Sequence, residues 1–426
     1  MEVRYELSPP LDLRREEGAG IWRFASVLPE FGERPTLGEG GTFLRRARRL
    51  GRLLGLKNLY VKDETRNPTG AFTDRGAAVV IAAALHYGFR EVISVTGGDL
   101  AASLAAYSAS QGLTFRAYFE EQPNVGKMYQ ILFFGGEVVV GRELRLEPAA
   151  YAVLPREPLL LEGYKTISLE LFETLGERAS AVVVPVGHGA LLYSLWKGFR
   201  ELSEAGFIGS TPRLYGAQAA SCAPIVEALE HGLGEPASLA KNPTIATEIA
   251  EARPARGREA LAAIRESKGS AVAVGDDEIA EGLRLLAKHE GLLVETASAA
   301  AVAALKHLVE SGEIDRSDVV VLVATGAGLK DPKTLVRILE GERPRVGRTG
   351  LEILEALSER EMHGYALWRE LVERGREISR PAVYYHLYRL ESLGLIRKLS
   401  YSSRKAYSVT ERGRRLLEEL KNSRRR

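Results

Sequence analysis

Cysteine is nearly absent. Cys222 is the only one in 426 residues. A single thiol closes no internal disulfide and builds no cysteine metal cluster, so the expectation is a cytoplasmic location and no metal site. Methionine and tryptophan are also scarce, at three residues each. Asn and Gln are few while Arg and Glu are many, a bias that suits a heat-adapted source. No apolar run approaches the roughly 20 residues of a bilayer-crossing helix, so no membrane partner is expected. The opening stretch MEVRYELSPPLDLRREEG is polar and acid-rich, unlike a secretory or organelle leader.

What is present divides unevenly. The net charge of +2 conceals two opposed parts. Residues 349–426 carry 17 Lys and Arg against 11 Asp and Glu, a net +6. The rest carries 41 against 45, a net −4. A basic C-terminal end suits a phosphate backbone as partner, although a solvated basic tail ending in Arg424, Arg425 and Arg426 gives the same count. Ahead of it, short β-rich runs alternate with Ala- and Leu-rich helical stretches. Strands are expected at Asn58–Lys62, Glu91–Val95, Phe115–Phe119, Glu137–Val140, Ala181–Val184, Leu214–Ala217, Ala271–Val274 and Val319–Val323. Their continuous apolarity predicts an α/β fold of mostly parallel sheets covered by helices.

Residues 341–348 are charged, contain Gly and Pro and lack apolar periodicity, which marks a linker between a large domain at 1–340 and a small one at 349–426. The small domain reads as three helices, a hairpin and a last helix, the order of a winged helix-turn-helix. Ser379 is placed as the N-cap of the third helix, with Pro381 in its first turn. Ile396–Leu399 and Ala406–Val409 pair around a tip at Ser402, Ser403 and Arg404. On the third helix Val383, Leu387 and Leu390 share the packing face, while Tyr385, Tyr388 and Arg389 lie opposite.

The segments His363–Leu367, Ser379–Tyr384, Tyr388–Glu391, Gly394–Ile396 and Lys405–Gly413, in that order over about 75 residues, resemble PadR-family regulators. The resemblance implies operator DNA as a partner. Arg380, Tyr384, Tyr385, Tyr388 and Arg389 are the candidate recognition-helix contacts, and Arg404 and Lys405 the candidate wing contacts. The same tyrosines also suit a dimer interface, and a module serving only dimerisation or protein contacts remains compatible with the sequence.

In the large domain, Asn67–Gly76 closely resembles the cofactor-attachment motif of threonine synthases. Leu37–Thr42, Lys62–Glu64, Thr244–Thr247, Glu295–Ala300 and Thr325–Pro332 extend that resemblance over roughly residues 1–340. It implies the two-lobed fold of type II pyridoxal-phosphate enzymes. It also implies a lysine that forms an imine with the cofactor aldehyde. At that position the chain has Thr73, which has no amine. Asp99 stands where the family offers an Asn amide to the cofactor ring. Gly187, His188, Gly189 and Ala190 stand at the phosphate loop, and Thr325 where the family meets the pyridine nitrogen. These residues are the expected pocket, with glycine turns and helix capping as their structural alternative. The expectation is a pseudoenzyme that holds no covalent cofactor, with pyridoxal phosphate present only noncovalently. In that reading it senses a small effector and regulates transcription as a homodimer. A threonine synthase with a regulatory C-terminal domain is the alternative, and a structural partner of an active paralogue a third.

Overall fold

The computed structural model describes residues 20–95, 97–121, 123–141, 149–240, 242–340, 346–401 and 404–423. The chain forms two compact units, Met1–Asp331 and Pro332–Arg426. The division falls nine residues before the boundary expected from sequence, because a new helix starts at Pro332 and belongs to the second unit. Residues 341–345 of the expected linker and Arg424–Arg426 lie outside the described residues.

Among the described residues the first unit holds two sheets. Its strands are β1 (Leu44–Arg46), β2 (Asn58–Asp63), β3 (Glu91–Ser94), β4 (Thr114–Phe119), β5 (Glu137–Val140), β6 (Ala150–Val153), β7 (Ala181–Pro185), β8 (Arg213–Ala219), β9 (Ala271–Val274) and β10 (Val319–Ala324). Six of them pair in the order β1-β2-β10-β7-β8-β9 and four in the order β5-β4-β3-β6. Every pairing is parallel except β1 with β2. The central strands are apolar throughout because helices cover both faces. All five residues of β7 are buried, as are the last five of β10.

Five helices position the site: α1 (Thr73–His86), α2 (Gly98–Ser110), α3 (Val125–Phe133), α4 (Pro158–Leu175) and α5 (Ala190–Glu204). In α1 the run from Thr73 to Ala84 is buried on every side, so no polar face is left for water. Its one large polar side chain, Arg75, is fully buried and fully paired. The guanidinium donates to Glu64 from Nε at 2.7 Å and to Glu170 from Nη1 at 2.8 Å. It also reaches Thr166 at 2.9 Å. Lys62 adds a 2.5 Å bond to Glu170. Such a network is tolerated only because each charge has a partner.

The α1–α4 crossing depends on a missing side chain. A Cβ on Gly163 would stand 2.1 Å from the Arg75 carbonyl oxygen.

In the second unit α6 (Pro332–Glu340) is followed by α7 (Arg348–Glu359), β11 (Met362–His363), α8 (Gly364–Glu373), α9 (Arg380–Ser392), β12 (Ile396–Tyr401), β13 (Arg404–Val409) and α10 (Glu411–Ser423). The strands order as β11-β13-β12. Ile353, Leu357, Leu367, Val383, Leu387, Leu395 and Val409 build a separate core. The Ser379 hydroxyl accepts from the Ala382 N–H and caps α9. Arg404 pairs with Tyr401 inside the ladder rather than sitting at the hairpin tip, because the strands continue beyond the apolar positions that marked them. Ser402 and Ser403 lie outside the described residues.

Gly163→Ala is expected to destabilise the first unit by about 1–3 kcal/mol through overpacking, read as a lowered midpoint in chemical denaturation. An unchanged midpoint would show that α1 and α4 separate without cost.

Candidate functional site

The C-terminal ends of three parallel strands meet one cavity. β3 leads to the loop before α2, β7 to residues 186–189 before α5, and β10 to Thr325. Ligands bind at such ends because helix starts present unpaired N–H groups there. The cavity has a volume of about 500 Å3. Thr73, Asp99, Gly187, His188, Gly189, Ala190 and Thr325 all line it, so the structure brings together every residue predicted for the small-molecule pocket.

Their polar groups are largely engaged with the protein itself. The Thr73 hydroxyl lies 2.8 Å from Ser103 Oγ at the start of α1. The Thr325 N–H donates to Ser298 Oγ at 2.8 Å, and Thr325 Oγ1 donates to Glu295 Oε1 at 2.6 Å. Gly189 takes φ +88° as the residue before α5, a conformation that glycine adopts without strain. His188 Nε2 lies 3.4 Å from Glu251 Oε2, which comes from the segment after Ile249.

Asp99 is the centre of an ion-pair cluster. Lys127 Nζ donates to Asp99 Oδ2 at 2.7 Å and to Glu248 Oε1 at 2.8 Å. Lys330 Nζ lies 2.9 Å from Asp99 Oδ1 and donates to the Thr69 carbonyl at 3.0 Å. Burial opposes the Asp99 charge, but the two ammonium groups outweigh it and hold its pKa well below the aspartate range. Burial likewise opposes the Lys127 charge, and Asp99, Glu248 and Glu295 overcome it and raise its pKa well above the lysine range. Burial, and then the Asp99 charge, push the Glu295 pKa up to about 8. Lys127 and the Thr325 hydroxyl favour the Glu295 charge too weakly to offset what opposes it.

Sequence reasoning missed Lys127, Glu248 and Glu295 as pocket residues. Their separation along the chain hides them, and the one local signal is Gly126. A Cβ there would stand 2.4 Å from the Lys330 carbonyl oxygen, so the glycine lets α3 approach the segment that carries the second lysine. Lys62 and Lys165 do not line the cavity. Lys62 belongs to the Arg75 network, and Lys165 is buried between Glu162 and Glu201 at 2.8 Å from each.

The second candidate site is the outer face of α9. Tyr384, Tyr385 and Tyr388 are 47%, 61% and 63% exposed, whereas Val383 and Leu387 are fully buried. The exposed face thus presents three phenols in succession. Tyr384 also packs its ring against Gly364 at the start of α8. Arg380 is exposed, with its guanidinium 4.5 Å from the Tyr365 ring centroid and 5.0 Å from that of Trp368. Arg389 is half-buried on the last turns of the helix. Arg404 and Lys405 lie in β13, and their side chains are outside the described residues. Among the described residues no group of three or more His, Cys, Asp or Glu forms a metal-holding cluster. No described helix is long and apolar enough to cross a membrane.

Because Glu295 binds its proton more tightly in the folded chain than in the unfolded one, its stabilising effect is complete below about pH 4.3 and is lost as pH rises through about 8. Glu295→Gln is expected to remove that loss, a difference on the order of a few kcal/mol between pH 5 and 8.5. Thermal denaturation of both proteins across that range checks it, and parallel profiles would refute the elevated pKa.

Comparison with known proteins agrees with this architecture. Residues 35–326 match the pyridoxal-phosphate dependent enzyme family, and residues 353–419 match the transcriptional regulator PadR-like family. The threonine synthase of Methanocaldococcus jannaschii is 39% identical over 343 residues, covering 77% of this chain and 84% of that protein. The threonine synthase of Methanosarcina acetivorans is 36% identical over 356 residues, covering 80% and 88%. The crystal structure of an L-serine ammonia-lyase from the fungus Rhizomucor miehei superposes with a TM-score of 0.59 at 22% identity, over 68% of this chain and 94% of that one, and so shares the fold. The chain belongs to the pyridoxal-phosphate dependent enzyme family, has threonine synthases among its relatives, and carries a PadR-like domain at its C-terminal end.

Proposed function

We propose that the chain is a one-component transcriptional regulator. Its large unit is a pseudoenzyme that senses a small molecule, and its winged helix binds operator DNA as a homodimer. The observation that carries this reading is Thr73. At the position where the family attaches its cofactor there is a hydroxyl, hydrogen-bonded to Ser103, and not an amine. Neither nearby ammonium takes its place. Lys127 is clamped between two carboxylates, which keeps it protonated and non-nucleophilic. Lys330 is bound to Asp99 and to the Thr69 carbonyl.

Pyridoxal phosphate does not fit the cavity through an imine. A noncovalent fit meets further opposition, since Thr325 Oγ1 already donates to Glu295 and Glu251 flanks the loop where a phosphate would sit. Candidate effectors are an amino acid, homoserine phosphate or noncovalent pyridoxal phosphate. To regulate, an effector must bind two conformations of the protein with different affinity.

On the DNA side, the exposed tyrosines and Arg380 present polar groups to a major groove, as recognition helices do. The second reading, a threonine synthase with a regulatory tail, is favoured by the 39% identity to a named threonine synthase.

Two results decide between the readings. Borohydride treatment after incubation with pyridoxal phosphate is expected to leave no pyridoxyl adduct on any cavity lysine by mass spectrometry. Thr73→Lys alone should restore little turnover of homoserine phosphate, since Asp99 and the altered phosphate loop remain. Substantial turnover by the unaltered chain would establish the enzyme instead. For the winged helix, Arg380→Ala is expected to weaken operator binding by about 1–3 kcal/mol in fluorescence anisotropy, as loss of a base contact does. Equal affinity of the variant would remove Arg380 from the interface.

A further inference from the structure

We propose that the cavity binds a small organic cation carrying a primary ammonium group, rather than a phosphate ester. The proposal rests on the reading of the large unit as a ligand sensor and names the chemistry of what it senses.

Charge is the first argument. Asp99, Glu121, Glu248, Glu251 and Glu295 line the cavity with five carboxyl groups. Against them stand Lys127 in the lining and Lys330 behind Asp99. Even with Glu295 protonated, four carboxylates face two ammonium groups. A phosphate ester would enter a field of its own sign. The start of α5, where helix geometry would welcome an anion, already has Glu251 beside His188.

Unmet hydrogen bonding is the second and independent argument. Among the described residues Glu248 Oε2 and Glu295 Oε2 are buried atoms with no hydrogen-bond partner, and both residues line the cavity. Glu295 is only 6% exposed. An ionised carboxylate oxygen accepts and does not donate, so Glu248 Oε2 lacks a donor, and Glu295 Oε2 becomes an acceptor once its proton leaves, which an adjacent ammonium favours. An ammonium brings three N–H donors, whereas a phosphate dianion brings none. The lining also includes Phe72, Phe119, Leu160 and Leu192, which suit an aliphatic stem.

Glu295 links binding to protons. Facing it are Asp99 from α2, Lys127 from α3, Glu248 from the segment before Ile249, and Thr325 after β10. In the free protein near neutral pH it is mostly protonated. An adjacent cation favours its ionised form, so binding expels a proton and affinity rises from about pH 6.5 to about 8.5.

The test is isothermal titration calorimetry on the full chain with 1,4-diaminobutane and with L-lysine, compared with pyridoxal phosphate and inorganic phosphate. At least one amine is expected to bind with proton release, detected from the dependence of heat on buffer ionisation. Glu248→Gln and, separately, Glu251→Gln should each weaken it about ten-fold or more, with the fold checked by circular dichroism. Glu251 lies outside the Lys127 pairing, so its variant keeps the test valid should Glu248→Gln fail to fold. Tighter binding of pyridoxal phosphate or phosphate than of either amine overturns the proposal while leaving a sensor intact. So does amine binding that neither substitution alters, and so does the absence of binding by every probe. Amine binding in the cavity with unchanged operator affinity would uphold the ligand class and defeat the sensor reading.

Discussion

The Arg75 guanidinium, with no exposed surface, is the constraint on which the first unit turns. It joins Glu64, next to β2, to Glu170 on α4, while its own backbone belongs to α1. Removing any one partner would strand a charge in the interior, a loss far larger than a surface pair could cause. The consequence is positional. Thr73 stands two residues earlier on the same helix, so the network fixes where its hydroxyl enters the cavity. The side chain that the scaffold presents at that point is a hydroxyl bonded to Ser103.

The Asp99 cluster complements this rigidity. Two lysines from different segments converge on one carboxylate, and Lys127 also pairs with Glu248. In a site built to receive a ligand, polar groups usually wait for the ligand to complete them. Here Thr73 is bonded to Ser103, Thr325 to Ser298 and Glu295, and Asp99 to Lys127, while Glu248 Oε2 and Glu295 Oε2 have no hydrogen-bond partner among the described residues. The surrounding sheets and helices keep the family arrangement.

Much of this was legible in the chain. The strand expected at Val319–Val323 is visible because burial on both faces leaves no polar position to confuse the pattern. Ser379 and Pro381 announce α9 through local chemistry alone. By contrast β1 was silent, since two of its three residues are exposed arginines, and β11 is only two residues long. The pocket residues that resemble a family motif were found. Lys127, Glu248 and Glu295 were not, because each owes its place to elements more than a hundred residues apart in some pairings. A charge cluster assembled by tertiary packing leaves no period in the sequence.

The placement of Arg380 over Tyr365 and Trp368 has its own consequence. A long side chain ordinarily surrenders rotamer freedom when it engages a partner. Stacked on two rings, this guanidinium has given up much of that freedom in advance, and its flat delocalised charge is what the rings hold. Lysine would bring the same formal charge without the planar fork, and would arrive at any contact still unconstrained. Position 380 therefore discriminates between two cations that a charge count treats as equal.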